Sequence, residues 1–177
     1  MTPSKPLFPA RARIASRGYF NYWRGAPAPL RFDERGSTVT RKDGLFVLYA
    51  DGACRGNPGP MGMSAIVYGP DGVLERERYF SLPEGTNNQA EYLAAIAALE
   101  EAREAGAQRV ELRMDSELVV RQLNGEYRVK NGSLWPLYVR AQELLTGFDE
   151  ATVRHIPRAE NREADRRANL ALDLAGF

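Results

Sequence analysis

The sequence holds one cysteine and one histidine in 177 residues, Cys54 and His155. An internal disulfide is therefore excluded, as is a zinc site built from several Cys and His ligands. A lone thiol suits a reducing compartment, so the expected location is cytoplasmic. No apolar run approaches the roughly 20 residues that span a bilayer, and no apolar segment near the N-terminus resembles a secretory signal, so no membrane partner is expected. Acids are missing from the first 32 positions. Residues 1–43 carry nine Lys or Arg against Asp33, Glu34 and Asp43, a formal +6, whereas the remainder carries fifteen against twenty acids, a formal −5. Such a basic arm on an acidic body points to a polyanionic partner. The arm lacks sustained periodicity, is interrupted by Pro3, Pro6, Pro9, Pro27 and Pro29, and carries an aromatic cluster of Tyr19, Phe20, Tyr22 and Trp23 suited to stacking on bases or to apolar packing.

From residue 44 onward the pattern becomes regular. Apolar or alternating runs predict strands at Leu45–Ala50, Ser64–Gly69 and Leu74–Leu82, the last two joined by the turn Gly69-Pro-Asp-Gly72. A long helix follows, opened by a capping box of Thr86 and Gln89 and closed by Gly106. Val110–Asp115 reads as a fourth strand and Ala151–Pro157 as a fifth. Helices are expected at Ser116–Gly125, Leu134–Gly147 and Glu160–Gly176, with Trp135, ahead of Pro136, a core residue at a helix start. The order β-β-β-α-β-α-α-β-α predicts an α/β domain, a five-stranded mixed sheet flanked by helices.

Four acids fall where purely structural acids are unexpected. Asp51 and Asp115 end strands, Glu91 lies in the early turns of the first long helix, and Asp165 lies one turn after Asn161 in the last helix. If brought together they would repel one another unless a cation neutralised them. Oxygen-only ligands without His or Cys select Mg²⁺, with Mn²⁺ able to substitute. Two such ions about 3.5–4 Å apart are the means by which many nucleases activate water and stabilise a leaving oxygen.

The stretches Asp51-Gly-Ala-Cys-Arg-Gly-Asn-Pro-Gly-Pro60, Thr86-Asn-Asn-Gln-Ala-Glu91, Met114-Asp-Ser-Glu-Leu-Val-Val120 and Glu160-Asn-Arg-Glu-Ala-Asp165 together resemble type 1 ribonuclease H. The resemblance covers about Leu45 to Leu174. It implies the ribonuclease H-like fold for residues 44–177 and an endonuclease that cuts the RNA strand of RNA–DNA hybrids, leaving 5′-phosphomonoesters. It further implies two Mg²⁺ ions held by Asp51, Glu91, Asp115 and Asp165. Gly52, Cys54, Asn57, Asn88 and Glu117 would lie along the minor groove of the hybrid, where the 2′-hydroxyl distinguishes RNA from DNA. Thr86 and Asn87, at a helix N-terminus, are placed for a DNA phosphate, and Asn161 is grouped with these substrate-binding residues.

Two departures from the best-studied pattern stand out. The link Pro157–Glu160 is too short for a mobile histidine loop. His155 reads as a packed or edge-strand residue, and Arg158, in the link itself, takes the auxiliary place in proton handling or product release. This arrangement is similar to the archaeal-like branch. The segment Gly125–Gly132 has no room for the basic protrusion that grips DNA in some relatives, so the arm is expected to supply salt-sensitive contacts to this or other nucleic acid. A monomer is expected. The other reading is a non-catalytic hybrid-binding domain of the same fold, against which stands the presence of all four acids.

Overall fold

The computed structural model describes residues 42–177. The basic arm expected over residues 1–43 lies outside the described residues except for Lys42 and Asp43, which open the first strand. The elements are β1 (Lys42–Cys54), β2 (Gly59–Tyr68), β3 (Leu74–Gly85), α1 (Asn87–Glu104), β4 (Ala107–Met114), α2 (Glu117–Leu123), α3 (Trp135–Leu145), β5 (Glu150–His155) and α4 (Arg162–Leu174), with a 3₁₀ turn at Arg158–Glu160 before α4. They form one five-stranded sheet in the order β3-β2-β1-β4-β5. The β1–β2 and β2–β3 pairs are antiparallel, while β1–β4 and β4–β5 are parallel.

Strand alternation sorts the side chains between two faces. Phe46, Leu48 and Ala50 of β1, Met61, Met63, Ala65 and Val67 of β2, and Val110, Leu112 and Met114 of β4 enter the core that α1 covers. α1 is buried almost all round, and its run of alanines lets it lie close on the sheet beneath α3. Tyr92, Ile96 and Leu99 fill the space between them, each contributing about 1.5–3 kcal/mol when fully buried. The two buried acids in its last turns have partners: Glu100 meets Arg140 of α3 at 2.9 Å and Glu101 meets Arg76 of β3 at 2.5 Å. α4 packs on the opposite face, chiefly over β2 and β1. Gly62 permits this, because a Cβ there would stand 2.1 Å from the Ala168 carbonyl oxygen.

The expected elements are all present, with two differences that matter. β1 does not end at Asp51 but continues to Cys54, because β2 goes on pairing with it through the turn. Trp135 is not a core residue: it is 52% exposed and stacks beside Tyr138 at 5.4 Å, while the neighbouring Leu134 is the one buried.

Candidate active site

Two strands that run side by side and then part create the site. β1 pairs with β4 only as far as Tyr49 with Arg113, whereas its pairing with β2 continues through Asp51 to Cys54. Asp51 and Asp115 sit just past the separation, at the carboxyl ends of adjacent parallel strands, where α/β sheets open a crevice. Asp51 points to the α4 face: its cross-strand partner Ser64 donates its hydroxyl to the Ala164 carbonyl of α4 at 2.7 Å. Asp165 arrives on that face from the first turn of α4.

Glu91 approaches from the other side, on α1. It is 7% exposed and accepts a hydrogen bond from the Gly52 amide at 3.3 Å. Glycine beside Asp51 is required for this approach, since a Cβ at residue 52 would stand 2.3 Å from the Ala90 carbonyl carbon and the Glu91 nitrogen. Gly52 therefore has a structural cause in the packing of α1 on β1.

The acids feel one another. Burial, then the charges of Asp115 and Asp165 and a hydrogen bond shared with Asp115, push the Asp51 carboxyl up to about 8. Burial, then Asp51 and Asp115, push Glu91 well above the usual carboxylate range. Arg158 offsets part of this repulsion through an ion pair with Asp165 at 2.7 Å. Asn161, 1% exposed, donates through Nδ2 to Asp115 Oδ1 at 2.6 Å and to the Ala50 carbonyl at 3.0 Å. Among the described residues no three acids, His or Cys are closed into a metal cage. The four carboxylates are electrostatic neighbours tied to Arg158, Asn161 and each other. The donor set, all oxygen and mutually repelling, suits a hard divalent cation.

The other expected residues border the acids or serve the local fold. The Cys54 sulfur lies 3.6 and 3.4 Å from the Gly59 and Gly85 carbonyl oxygens, which share its one proton, and burial pushes its pKa up. Asn57 Oδ1 accepts from the Asn87 amide at 3.2 Å, tying the turn after β1 to the start of α1. The capping box forms as expected: the Thr86 hydroxyl accepts from the Gln89 amide at 3.4 Å, and Gln89 Oε1 accepts from the Thr86 amide at 2.9 Å. Asn88 is exposed. Glu117, also exposed, pairs with Arg121 at 2.7 Å, and that guanidinium lies over the Tyr127 ring at 5.1 Å. A groove of about 500 Å³ on the α4 face, lined by Tyr49, Tyr68 and Arg113, meets the acid cluster only at Asn161.

Residues 49–171 match the family model described as Reverse transcriptase-like. The ribonuclease HI of Halobacterium salinarum is 49% identical over 134 residues, covering 76% of this chain and 67% of that one. The crystal structure of RNase H1 from that organism superposes with a TM-score of 0.71 at 48% identity, over 73% of this chain and 98% of the other. The chain belongs to the type 1 ribonuclease H family. The ribonuclease H of Halorhodospira halophila is 39% identical over 76% of this chain and 97% of its own length. LC11-RNase H1, solved in complex with an RNA/DNA hybrid, superposes with a TM-score of 0.70 at 37% identity, over 75% of this chain and 99% of that one. A bifunctional protein of Mycobacterium tuberculosis is 44% identical over 73% of this chain, but the match spans only 36% of that longer protein.

Within type 1 ribonuclease H, the connection from α2 to α3 in this chain contains no helix, so the basic protrusion is absent among the described residues. The link from β5 to α4 is short and holds the 3₁₀ turn at Arg158–Glu160. His155 ends β5, is exposed, and places its Nε2 3.2 Å from the Asp115 carbonyl oxygen. Two contributors were not legible as such in the sequence. Ser64 has no motif to mark it, and only its register opposite Asp51 reveals its tie to α4. Asn161 stands inside a recognisable motif, but its inward direction depends on how far β1 and β4 separate.

Proposed function

We propose that this chain is an endoribonuclease that hydrolyses the RNA strand of RNA–DNA hybrids, with residues 44–177 as the catalytic domain. The observation that carries the reading is the meeting of Asp51, Glu91, Asp115 and Asp165 where β1 and β4 part, in a ribonuclease H fold. Burial first, and then the charges of the neighbouring acids, raise the carboxyls of Asp51 and Glu91, and a bound cation would offset both effects. The four acids would hold two Mg²⁺ ions, with Mn²⁺ able to substitute. When bound, such ions supply a nucleophilic water at neutral pH and neutralise the leaving oxygen.

The chain's own residues supply position and charge. Asp51, deepest of the acids on the α4 face, would share in holding both cations, and Asp165 would help hold one of them. Arg158 cannot carry protons: a guanidinium is charged throughout the working range, and Asp165 raises its pKa further. It acts instead as an exposed positive charge for the phosphate or the product. Asn57, Asn88 and Glu117 offer polar groups to the minor groove, with the Gly52 and Cys54 backbone beside them, and the Thr86–Asn87 corner offers a helix N-terminus to a DNA phosphate. All four acids come from one chain, so a monomer suffices. No described helix is long and apolar enough to cross a membrane, and the single thiol supports a cytoplasmic setting.

The test uses one labelled sequence as RNA–DNA, DNA–DNA and RNA–RNA duplexes, incubated with Mg²⁺, Mn²⁺ or EDTA, with Asp115→Asn as control. Metal-dependent cuts confined to the RNA of the hybrid, ending in 5′-phosphate and lost in the variant, are expected. Tight hybrid binding without cleavage in either metal would replace the enzyme by a binding domain.

A further inference from the structure

Asn161 behaves unlike a substrate-binding residue. At 1% exposure it cannot reach a duplex on the surface. Both Nδ2 protons are spent inside the protein, one on Asp115 and one on Ala50, the residue before Asp51. Ala50 is one residue beyond the last pair of β1 with β4, and Asp115 is the first residue after β4. The amide thus spans the gap left where the two strands separate. The main chain of the same residue serves a third acid, because the Asn161 carbonyl accepts from the Asp165 amide at 3.0 Å. One residue therefore ties the carriers of Asp51, Asp115 and Asp165 together.

The orientation of that amide follows from its surroundings. Turning it over would aim Oδ1 at a carbonyl and a carboxylate within 3.0 Å, two acceptors with no proton to offer. In the orientation seen, Oδ1 is buried without a hydrogen-bond partner. A buried acceptor left unpaired is unfavourable, and such groups are uncommon in folded proteins. For packing alone, an apolar side chain of the same shape would avoid that cost. What the asparagine provides and leucine lacks is a pair of donors fixed on one acid and beside another.

We infer that Asn161 is a positioning residue that holds Asp115 against the end of β1 and so sets the spacing of the metal-binding acids. The inference rests on the hydrolytic reading above. Its consequence differs from that of a substrate contact: the loss should appear in kcat and in metal affinity and leave hybrid affinity nearly intact. Groups that orient ligands from behind typically change metal affinity or activity by about 10–100-fold when removed.

The experiment compares full-length wild type, Asn161→Ala, Asn161→Asp and Leu172→Ala. Leu172 is fully buried against β2 and outside the site, so its truncation controls for lost stability. Steady-state cleavage of the hybrid is measured below the melting temperature of every variant, and Mn²⁺ is titrated calorimetrically into wild type, Asn161→Ala and Leu172→Ala without substrate. Asn161→Ala is expected to lower kcat and weaken Mn²⁺ binding each by at least about tenfold, with KM changed less than threefold, while Leu172→Ala keeps both. Asn161→Asp preserves the volume but presents an acceptor to Asp115. It should lose at least as much kcat at neutral pH, and it decides the matter alone if the alanine variant does not fold. A kcat within twofold of wild type, or a rise in KM with kcat unchanged, would overturn the inference, as would equal losses in Leu172→Ala. Failure of wild type to cleave at all would instead sink the hydrolytic reading beneath it.

Discussion

Neutralising Asp51 should stabilise the metal-free protein, and by an amount that depends on pH. The carboxyl is 4% exposed, and its pKa is pushed up from 3.8 to about 8 by burial first and by Asp115 and Asp165 next. An unfolded chain releases that proton near 3.8, so between about pH 4 and pH 8 the folded protein binds more protons than the unfolded one. Stability then falls as pH rises through this window. At 1.36 kcal/mol per pH unit, Asp51 costs at most about 4 kcal/mol by pH 7. Glu91 is raised in the same direction and shares part of the repulsion, so the two effects are not additive. Asp51→Asn keeps the volume and still offers a donor to Asp115. A gain of roughly 2–4 kcal/mol at pH 8 follows, or about 4–16 °C in Tm for a domain of this size, shrinking towards zero below about pH 4.5.

The assay is thermal unfolding by circular dichroism in EDTA from pH 4.5 to 8.5, for wild type and Asp51→Asn. Adding Mg²⁺ to wild type should recover stability at high pH, because a ligand of the folded state alone stabilises by mass action, while the variant responds less. Equal pH profiles for the two proteins, or a variant less stable at pH 8, would refute the claim that burial and the neighbouring acids raise the Asp51 carboxyl in the folded state.

Gly52→Ala should destabilise by about 1–3 kcal/mol in urea unfolding, because its Cβ would press into the α1 backbone at 2.3 Å and neither strand nor helix has a flexible group to yield; a change well under about 1 kcal/mol would mean that α1 can lift away. Arg158→Ala should lower kcat and, because its charge holds the Asp51 and Glu91 carboxyls down, move the acid limb of the pH–rate profile towards higher pH; an unchanged kcat with the limb in place would show that this charge does not act on the site. Deleting residues 1–41 should flatten the salt dependence of hybrid binding by about 0.9 in the log–log slope for each phosphate that the arm neutralises. An unchanged slope, measured by fluorescence anisotropy across salt concentrations, would show that the arm does not touch nucleic acid.

The sequence revealed the order of elements because each carries its own local cause. Alternation marks β3, the capping box starts α1, and glycines stop the helices. The acids were legible for a different reason: a carboxylate at a strand end or in a helix's first turns stands out against the apolar pattern around it. What stayed hidden was non-local. The extension of β1 to Cys54 comes from its register with β2, and Trp135 is exposed because Leu134, one residue earlier, takes the core place. A period of 3.6 residues cannot by itself decide between neighbours at a helix start.

The same distinction explains Gly52 and Asn161. A glycine after an acid in a Gly-rich run reads as part of a turn, and an asparagine before a helix reads as a cap or a polar contact. In the fold Gly52 lies under α1 and admits Glu91 to the site, while Asn161 contributes no side-chain cap and reaches across the opening between β1 and β4. Both follow from one topological event. β1 is antiparallel to β2 and parallel to β4, and it keeps the first partner after losing the second. The separation exposes a carbonyl at Ala50 and frees Asp115 from the sheet, and a donor in that gap must come from elsewhere in the chain. Acids alone in such a gap would push the strands further apart. A pair of fixed amide protons between them does the opposite, so the site's geometry should depend on Asn161 most strongly at the pH where the acids are charged.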